Sequence, residues 1–367
     1  YKGMLRYNSF QHRRPCVVQP LPVTHLCITN SSAGEWTLAW RPQEDPLEPS
    51  ADADYYIVYS RRNDEGFDNG TKTEHPFFVV DHAEPGTLYS FKVTAVNEGG
   101  ESFSSEVVSF AVQAQSGKPV LVVNGFDRIC GPQPVSQKGF SGFMGYLDQG
   151  VADRYTVNYT GLQIDFDPGS AFRNNDAPGH GASQADYETR LISGNTFDFI
   201  AVHGRAILNA GYSFVSSSDE AVTAGLVSLA DYAVVDLILG EEKETSWPKA
   251  GMDSLRGTSF KAIPAELQRH ITDYFKQGGR LFVSGAYIGS DLMKGKKTDH
   301  EDVLFGRQSL KFDWTADHAA VTGSIAAVDT TLFPKNFSFR FNTVLNDSIY
   351  AVEAPDAIDP FEGSRTI

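Results

Sequence analysis

The feature that most constrains the fold is a change of hydrophobic pattern close to residues 114–118. Residues 20–113 hold short runs of alternating apolar and polar residues, which is typical of strands with one buried face in an antiparallel sheet. From residue 119 the runs are continuously apolar, which favours strands buried on both faces of a parallel sheet. The sequence therefore predicts a multidomain chain: an all-β sandwich at 20–113, a linker at 114–118 and an α/β domain at 119–367.

The first unit is predicted to contain six strands, with room for a seventh. Turn residues separate its runs, as in antiparallel sandwiches. The predicted strands are 24–28, 36–40, 55–59, 77–80, 89–96 and 107–112.

Three stretches of this unit resemble a fibronectin type III domain. Residues 22–28 resemble its first strand, Trp40 its core tryptophan and residues 88–97 its sixth strand. The resemblance implies that Tyr89 forms a tyrosine corner, in which the hydroxyl bonds to nearby backbone. It also implies a spacer role, because no adhesion loop is recognisable and such domains mostly position their neighbours.

The second unit is predicted to be a doubly wound parallel sheet of flavodoxin type, with ligands bound at the carboxyl ends of its strands. Apolar residues recur every four positions across 264–277 and Gly278-Gly279 follow, which predicts a helix that ends there. Beyond residue 291 the pattern weakens, and only 337–344 and 348–352 predict further strands. The apolar runs are 119–123, 197–202, 232–239 and 280–283.

Polar residues after these runs are the candidate site residues, because parallel strands end at one edge. His180 and Ser183 are added because they lie in a glycine-rich loop inside the long insertion. A histidine beside carboxylates suits a general base, although His203 could instead cap its strand by hydrogen bonding. The catalytic candidates are His203, Tyr287, Asp291 and Glu241. The ligand-binding candidates are Asn124, Asp127, Arg205, His180, Ser183 and Ser290.

Residues 285–289 read Gly-Ala-Tyr-Ile-Gly and follow a predicted strand. They resemble the G-x-C-x-G nucleophile elbow of class I glutamine amidotransferase-like domains. Tyr287 takes the place of the cysteine, and a tyrosine hydroxyl is neutral near pH 7 and a poor acyl acceptor. The resemblance therefore implies a relative of these domains without amidotransferase activity.

A serine triad is an alternative at the same edge of the sheet. It would combine Ser284 or Ser290 with His203 and Asp291. No G-x-S-x-G motif surrounds either serine, so motif spacing gives this alternative no support.

The charge and the motif content exclude several partners. The chain has 31 Lys and Arg against 46 Asp and Glu, a net charge of −15 without a basic cluster, which disfavours nucleic acid and anionic membranes. No window approaches the ~20 apolar residues of a membrane span. Scattered histidines and the absence of CxxC or phosphate-binding motifs predict no metal and no cofactor. The three cysteines, Cys16, Cys27 and Cys130, lie far apart.

The succession of a sandwich, the loop at 176–183 and a helix, Gly-Gly and strand that lead to Gly285 resembles secreted multidomain proteins of Bacteroides type. These carry labels such as N-acetylmuramoyl-L-alanine amidase or xanthan lyase. The resemblance covers residues 20–350 and makes residues 1–19 the tail of a preceding domain or a linker. It implies an accessory, glycan-facing region without its own catalytic motif in a cell-wall or polysaccharide-processing enzyme.

The same resemblance implies a secreted, periplasmic or cell-surface location. The expected partners are peptidoglycan or another polysaccharide and neighbouring domains of the same chain. The alternative function is that of a hydrolase, which would use the strand-end crevice around His203 and Tyr287 of the α/β domain.

Overall fold

The structure is a computed structural model in which the strands of the first unit lie where the alternating runs predict them. The six predicted strands are confirmed, and the short strands β4 and β7 are added to them. The strands are β1 (Thr24–Asn30), β2 (Trp36–Arg41), β3 (Tyr55–Arg62), β4 (Thr71–Thr73), β5 (Phe77–Val80), β6 (Leu88–Asn97), β7 (Gly100–Glu101) and β8 (Val108–Ala111). The structure describes residues 17–30, 35–44, 49–102, 104–114, 117–125, 133–137, 140–144, 199–240, 261–294, 299–317, 319–320, 322–341, 343, 352 and 355–367.

These strands form two antiparallel layers. One layer has the order β1-β2-β5, and the other has the order β4-β3-β6-β8. Trp36 stacks on Phe110 across the core at 4.7 Å, and Trp40 meets Tyr56 edge to face at 5.4 Å. Aromatic pairs of this geometry add to the burial of apolar area that stabilises a sandwich. The predicted all-β sandwich, with Trp40 in its core, is confirmed.

Tyr89 forms the predicted tyrosine corner. Its ring is buried against Phe110, with the ring centroids 5.3 Å apart. Its hydroxyl oxygen accepts a hydrogen bond of 3.0 Å from the backbone N–H of Glu84, five residues earlier. The bond holds the loop before β6 against the strand that the ring anchors.

Four strands of the second unit pair in parallel, in the order β14-β13-β9-β12. Three of them are buried almost from end to end, as continuous apolar runs require. The strands are β9 (Val120–Asn124), β10 (Gln133–Gln137), β11 (Phe140–Met144), β12 (Phe214–Ser218), β13 (Val234–Gly240), β14 (Arg280–Gly285), β15 (Phe312–Ala316), β16 (Ser324–Ala326), β17 (Ser338–Arg340) and β18 (Ala357–Pro360). The helices are α1 (Phe199–Asn209), α2 (Asp219–Thr223), α3 (Ala265–Lys276), α4 (Ile288–Met293) and α5 (His300–Leu304), with 3-10 turns at Pro49–Ala51 and Leu229–Asp231 and a π-helical turn at Phe305–Leu310.

The prediction of a strand at 197–202 is wrong. Residues 199–209 form helix α1, which buries Ile200, Gly204 and Leu208 at helical spacing. The second parallel strand is β12, which the sequence interpretation did not include. A short apolar run is equally compatible with a buried strand and a buried helix. Polar residues follow this run, so the spacing of four that marks a helix was not recognised.

The sandwich and the parallel strands share one sheet through β12. On one side β12 pairs in parallel with β9, and it also pairs antiparallel with β8 and β1 of the sandwich. Helix α1 packs against β8, β9, β12 and β6, so it covers strands of both units. One hydrophobic core therefore extends from the sandwich into the parallel strands.

The helix predicted at 264–277 is present as α3, which ends at Lys276, two residues before Gly278. Gly279 leaves room for the ring of Tyr274, since a Cβ at this position would be only 2.3 Å from ring atoms. Of the strands predicted near the end, 337–344 contains β17, which takes up three of its described residues. The prediction at 348–352 lies largely outside the described residues.

Candidate functional site

The carboxyl ends of the parallel strands define the edge where ligands were expected. Asn124, the last residue of β9, lies opposite Ser218 of β12 on one side and Ile238 of β13 on the other. Gly240 ends β13 opposite Gly285 of β14. The edge therefore carries Asn124 near its middle, with the residues that follow β14 on the far side of β13.

The three candidates that follow β14 lie together and stabilise the local structure. Tyr287 and Ser290 are both only 3% exposed, and the Ser290 hydroxyl donates to the Tyr287 carbonyl at 3.3 Å. A carboxylate oxygen of Asp291 accepts from the N–H of Ala262 at 2.9 Å, which fixes the chain before α3. The N–H of Ser290 donates to Asp356 at 2.5 Å. These groups join α4 to its neighbours.

His203 lies in the middle of α1 rather than at the end of a strand, which corrects its predicted position. Its Nδ1 is 2.7 Å from Oδ2 of Asp236, which lies inside β13 opposite Phe282. Gly285 ends β14 three residues beyond Phe282, so the edge that carries Tyr287 is about 10 Å further along the sheet. The structure therefore separates His203 from Tyr287 and pairs it with a carboxylate that the sequence interpretation did not select.

Arg205 joins α1 to the sandwich. Its guanidinium donates to Oδ1 of Asn63 at 3.1 Å and to Oδ1 of Asp64 at 3.2 Å, both in the turn after β3. The Asp64 side chain is 95% exposed, so this ion pair contributes little stability by itself. The contact nevertheless places the Arg205 side chain at the boundary between the two units.

Four of the predicted site residues lie outside the described residues: Asp127, His180, Ser183 and Glu241.

The structure instead reveals a group of acidic and amide side chains where the sandwich meets the carboxyl ends of β9 and β12. The junction cluster consists of Glu106, Asn124, Asp219 and Glu220. Glu106 precedes β8 and is only 8% exposed, and its Oε2 accepts a hydrogen bond of 2.6 Å from Nδ2 of Asn124. Asp219 and Glu220 form the first turn of α2, directly after β12. Residues from both units therefore meet in the junction cluster.

Burial dominates the electrostatics of the junction cluster. It raises the pKa of Glu106 well above its ordinary range, and the negative charges of Glu220 and Asp219 raise it further. The hydrogen bond from Asn124 lowers this pKa, but by less than burial raises it. Burial also raises the pKa of Asp219, and the negative charge of Glu220 raises it further. Folding therefore shifts the carboxyls of Glu106 and Asp219 towards their protonated forms.

Two further titratable groups lie beside the junction cluster on β1. Burial lowers the pKa of His25, with Glu220 opposing this shift and Arg41 adding to it. Burial raises the pKa of the Cys27 thiol to about 11. Both groups are therefore predominantly neutral near pH 7.

Part of the junction cluster could have been found from sequence. Ser218 is followed by Asp219 and Glu220, and its side chain caps α2 by accepting from the N–H of Ala221. A serine before acidic residues is a helix-start signal, which would have marked 214–218 as a strand with polar residues at its end. Glu106 has no such signal, because its place beside Asn124 depends on how the two units pack.

Metal-binding groups and membrane-spanning helices are both absent from the described part of the chain. No group of three or more His, Cys, Asp or Glu side chains within it is arranged to hold a metal ion. None of the helices in the described ranges combines the length and the apolar character that crossing a bilayer needs.

The comparison with known protein families agrees with the sandwich geometry. The model of the fibronectin type III domain matches residues 21–111, about a quarter of the chain. The two antiparallel layers, the buried Trp40 and the Tyr89 corner lie within this range. The chain therefore contains a fibronectin type III domain at residues 21–111.

One curated relative is the human receptor-type tyrosine-protein phosphatase H. It is 26% identical over 161 residues, which cover 43% of this chain and 14% of the relative. The matched part is thus a small fraction of that protein, and the activity in its name is stated for that protein.

The similar solved structures contain domains of the same kind. The twitchin kinase region of C. elegans is 19% identical, with a TM-score of 0.24, over 26% of this chain and 17% of that one. A human fourth FNIII domain is 20% identical, with a TM-score of 0.25, over 29% and 90%. A fibronectin type-III domain from human fibronectin type III domain containing protein 3 is 28% identical, with a TM-score of 0.23, over 27% and 91%.

Proposed function

We propose that this chain is an accessory, glycan-facing region of a secreted cell-wall or polysaccharide-processing enzyme of the N-acetylmuramoyl-L-alanine amidase or xanthan lyase type. In this proposal a fibronectin type III domain and a flavodoxin-like unit present a glycan to catalytic domains elsewhere in the protein. The observation that carries the proposal is the sheet shared through β12, because a spacer must fix the geometry between the parts it joins.

The flavodoxin-like assignment is supported by the order of the parallel strands. Across the sheet the parallel strands lie in the order β12, β9, β13, β14. In chain order these are the second, first, third and fourth parallel strands. This is the order of the flavodoxin type of doubly wound sheet, whose switch point lies between the first and third strands. In this chain that point lies between Asn124 and Ile238.

The accessory role is supported by how the predicted site residues use their polar groups. Arg205 binds the turn after β3, Asp291 binds the N–H of Ala262, and Ser290 binds Tyr287 and Asp356. Groups engaged in this way stabilise the packing of elements and are less available for substrate.

The test combines binding and turnover. The protein is assayed with purified peptidoglycan and with a panel of acidic polysaccharides, by co-sedimentation and by release of soluble products. We expect binding to at least one glycan and no turnover. An absence of binding to every glycan in the panel would contradict the glycan-facing role.

A hydrolase is the second candidate, and the His203 to Asp236 contact favours it. An imidazole whose Nδ1 is held by a carboxylate at 2.7 Å has its Nε2 directed away from that carboxylate, as in a general base. His203→Ala is compared with His82→Ala, which changes an exposed histidine of the sandwich. Turnover by the wild-type chain and by H82A, but not by H203A, would mean that the chain is a hydrolase whose catalysis depends on His203, and would contradict the accessory role.

A further inference from the structure

Glu106 is a carboxyl group built into the boundary between the sandwich and the parallel strands. Its backbone is held to the sandwich through Ser105, whose N–H donates to the Val93 carbonyl at 2.8 Å and whose hydroxyl accepts from the Val93 N–H at 2.9 Å. Its side chain reaches across to Asn124 at the end of β9. Glu106 therefore connects strand β6 of one unit to strand β9 of the other.

The groups that face Glu106 are mostly acidic. Glu220 and Asp219 approach it from α2, and the Cys27 thiol approaches it from β1. The nearby cationic groups are His25, which is largely neutral near pH 7, and Arg41, which is an exposed residue. Among the described residues no lysine or arginine forms an ion pair with Glu106.

Charge at this position is costly for two physical reasons. A carboxylate at 8% exposure has lost most of its hydration, and two further carboxyls lie beside it. Oδ1 of Asp219 and Oε2 of Glu220 are also buried without a hydrogen-bond partner. A proton on the cluster removes like-charge repulsion and leaves the hydrogen bond from Asn124 to Glu106 in place.

We propose that the junction cluster is a pH-dependent latch, which holds β8 of the sandwich against β12 when Glu106 and Asp219 are protonated and releases this contact as these two carboxyls ionise. The latch concerns the boundary between the two units and does not depend on the ligand or activity assigned to the chain. It predicts that the contact between β8 and β12 opens more often in less acidic surroundings.

The direction of the effect follows from linkage. The pKa of Glu106 is raised in the closed junction and returns towards its ordinary value of about 4.3 when the junction opens. The stability that the proton supplies is therefore complete below the open-state pKa. It is lost progressively as the pH rises towards the raised pKa of the closed state.

Hydrogen exchange of the full chain, read by mass spectrometry between pH 5 and pH 8, measures the opening directly. After correction for intrinsic rates, we expect exchange in β8 and β12 to rise by about tenfold per pH unit for each carboxyl that must lose its proton. Strand β14, which lies two strands from β9, serves as the internal reference and should not show this rise.

Glu106→Gln mimics the protonated carboxyl and can still accept the hydrogen bond from Asn124. We expect E106Q to lower the pH dependence of opening by about one logarithmic unit per pH unit. Glu98→Gln, at an exposed position in the turn between β6 and β7, should behave as wild type. Asp219→Asn provides a second variant with the same expectation as E106Q if E106Q does not fold.

Two results would overturn the latch. The first is a wild-type chain whose corrected exchange in β8 and β12 does not change between pH 5 and pH 8. The second is a pH-dependent wild type whose slope is unaltered in both E106Q and D219N.

Discussion

The Ser216 hydroxyl and the backbone of Ser109 are joined by two hydrogen bonds across the boundary between the sandwich and the parallel strands. The hydroxyl donates to the Ser109 carbonyl at 2.7 Å and accepts from the Ser109 N–H at 2.7 Å. Strands β8 and β12 pair directly only at Phe214 and Ala111. The serine side chain thus takes the place of a backbone partner where the two strands diverge.

Removal of the Ser216 hydroxyl should lower the free energy of unfolding of the protein. Ser109 and Ser216 are both fully buried, so Ser216→Ala leaves a donor and an acceptor without a partner. We expect the free energy of unfolding to fall by about 2–4 kcal/mol, measured by urea titration. Ser228→Ala is the matched control, because Ser228 is exposed and its side chain makes no cap hydrogen bond. Equal unfolding midpoints for the two variants would contradict the structural role of Ser216.

Gly204 allows α1 to lie directly on the sheet. A Cβ at this position would be 2.1 Å from Cζ of the buried Phe214 ring. We expect Gly204→Ala to cost about 1–3 kcal/mol of stability through overpacking, despite the higher helix propensity of alanine. Gly66→Ala should be close to neutral, because a Cβ at Gly66 would meet nothing within 4 Å. Urea midpoints check both, and a G204A chain as stable as wild type would mean that α1 is not seated on Phe214.

The sandwich was predictable because its information is local. Tyr89, Glu84 and the alternating run of β6 lie within a few residues of each other, and one ring and one hydroxyl fix the corner. The same applies to α3, where spacing of four residues and the following Gly278 mark the end of the helix. The prediction for the α1 segment was wrong because the apolar run at 197–202 is too short to distinguish a helix from a strand.

The candidate site was less predictable because it depends on contacts between distant residues. Asn124 was selected as a strand end, but its partner Glu106 comes from the other unit. His203 was selected for the wrong element, and Asp236 inside a strand gave no sign that it would contact an imidazole. Misplacing the second strand also removed Asp219 from consideration, since α2 follows that strand.

The Cys27 thiol should resist alkylation while the chain is folded. The thiolate is the reactive form, and a pKa of about 11 leaves only about one thiol in a thousand ionised at pH 8. Iodoacetamide at pH 8, followed by peptide mass spectrometry, should label Cys27 much more slowly in buffer than in 8 M urea, where its pKa returns to about 8.5. Labelling in buffer should increase about tenfold per pH unit up to pH 10. Rapid labelling of Cys27 at pH 7 would contradict its burial.

The tyrosine corner gives a prediction that is confined to the fibronectin type III domain. Tyr89→Phe keeps the ring on Phe110 but removes the acceptor of the Glu84 N–H. Because Glu84 is exposed and water can replace part of the bond, we expect a loss of about 1–1.5 kcal/mol in urea unfolding. Tyr212→Phe, at a side chain that is 57% exposed in the second unit, is the matched control and should be neutral.

The distribution of hydrogen exchange distinguishes a local effect of Y89F from a general one. Amides in the loop before β6 should exchange faster in Y89F, because the Glu84 N–H no longer has a protein partner. Amides of β13 and β14 should be as protected from exchange in Y89F as in the wild type, since neither strand pairs with the strands that form the corner. If Y89F lowered protection in β14 as much as in the loop before β6, the corner would support the shared sheet as a whole rather than the domain that contains it.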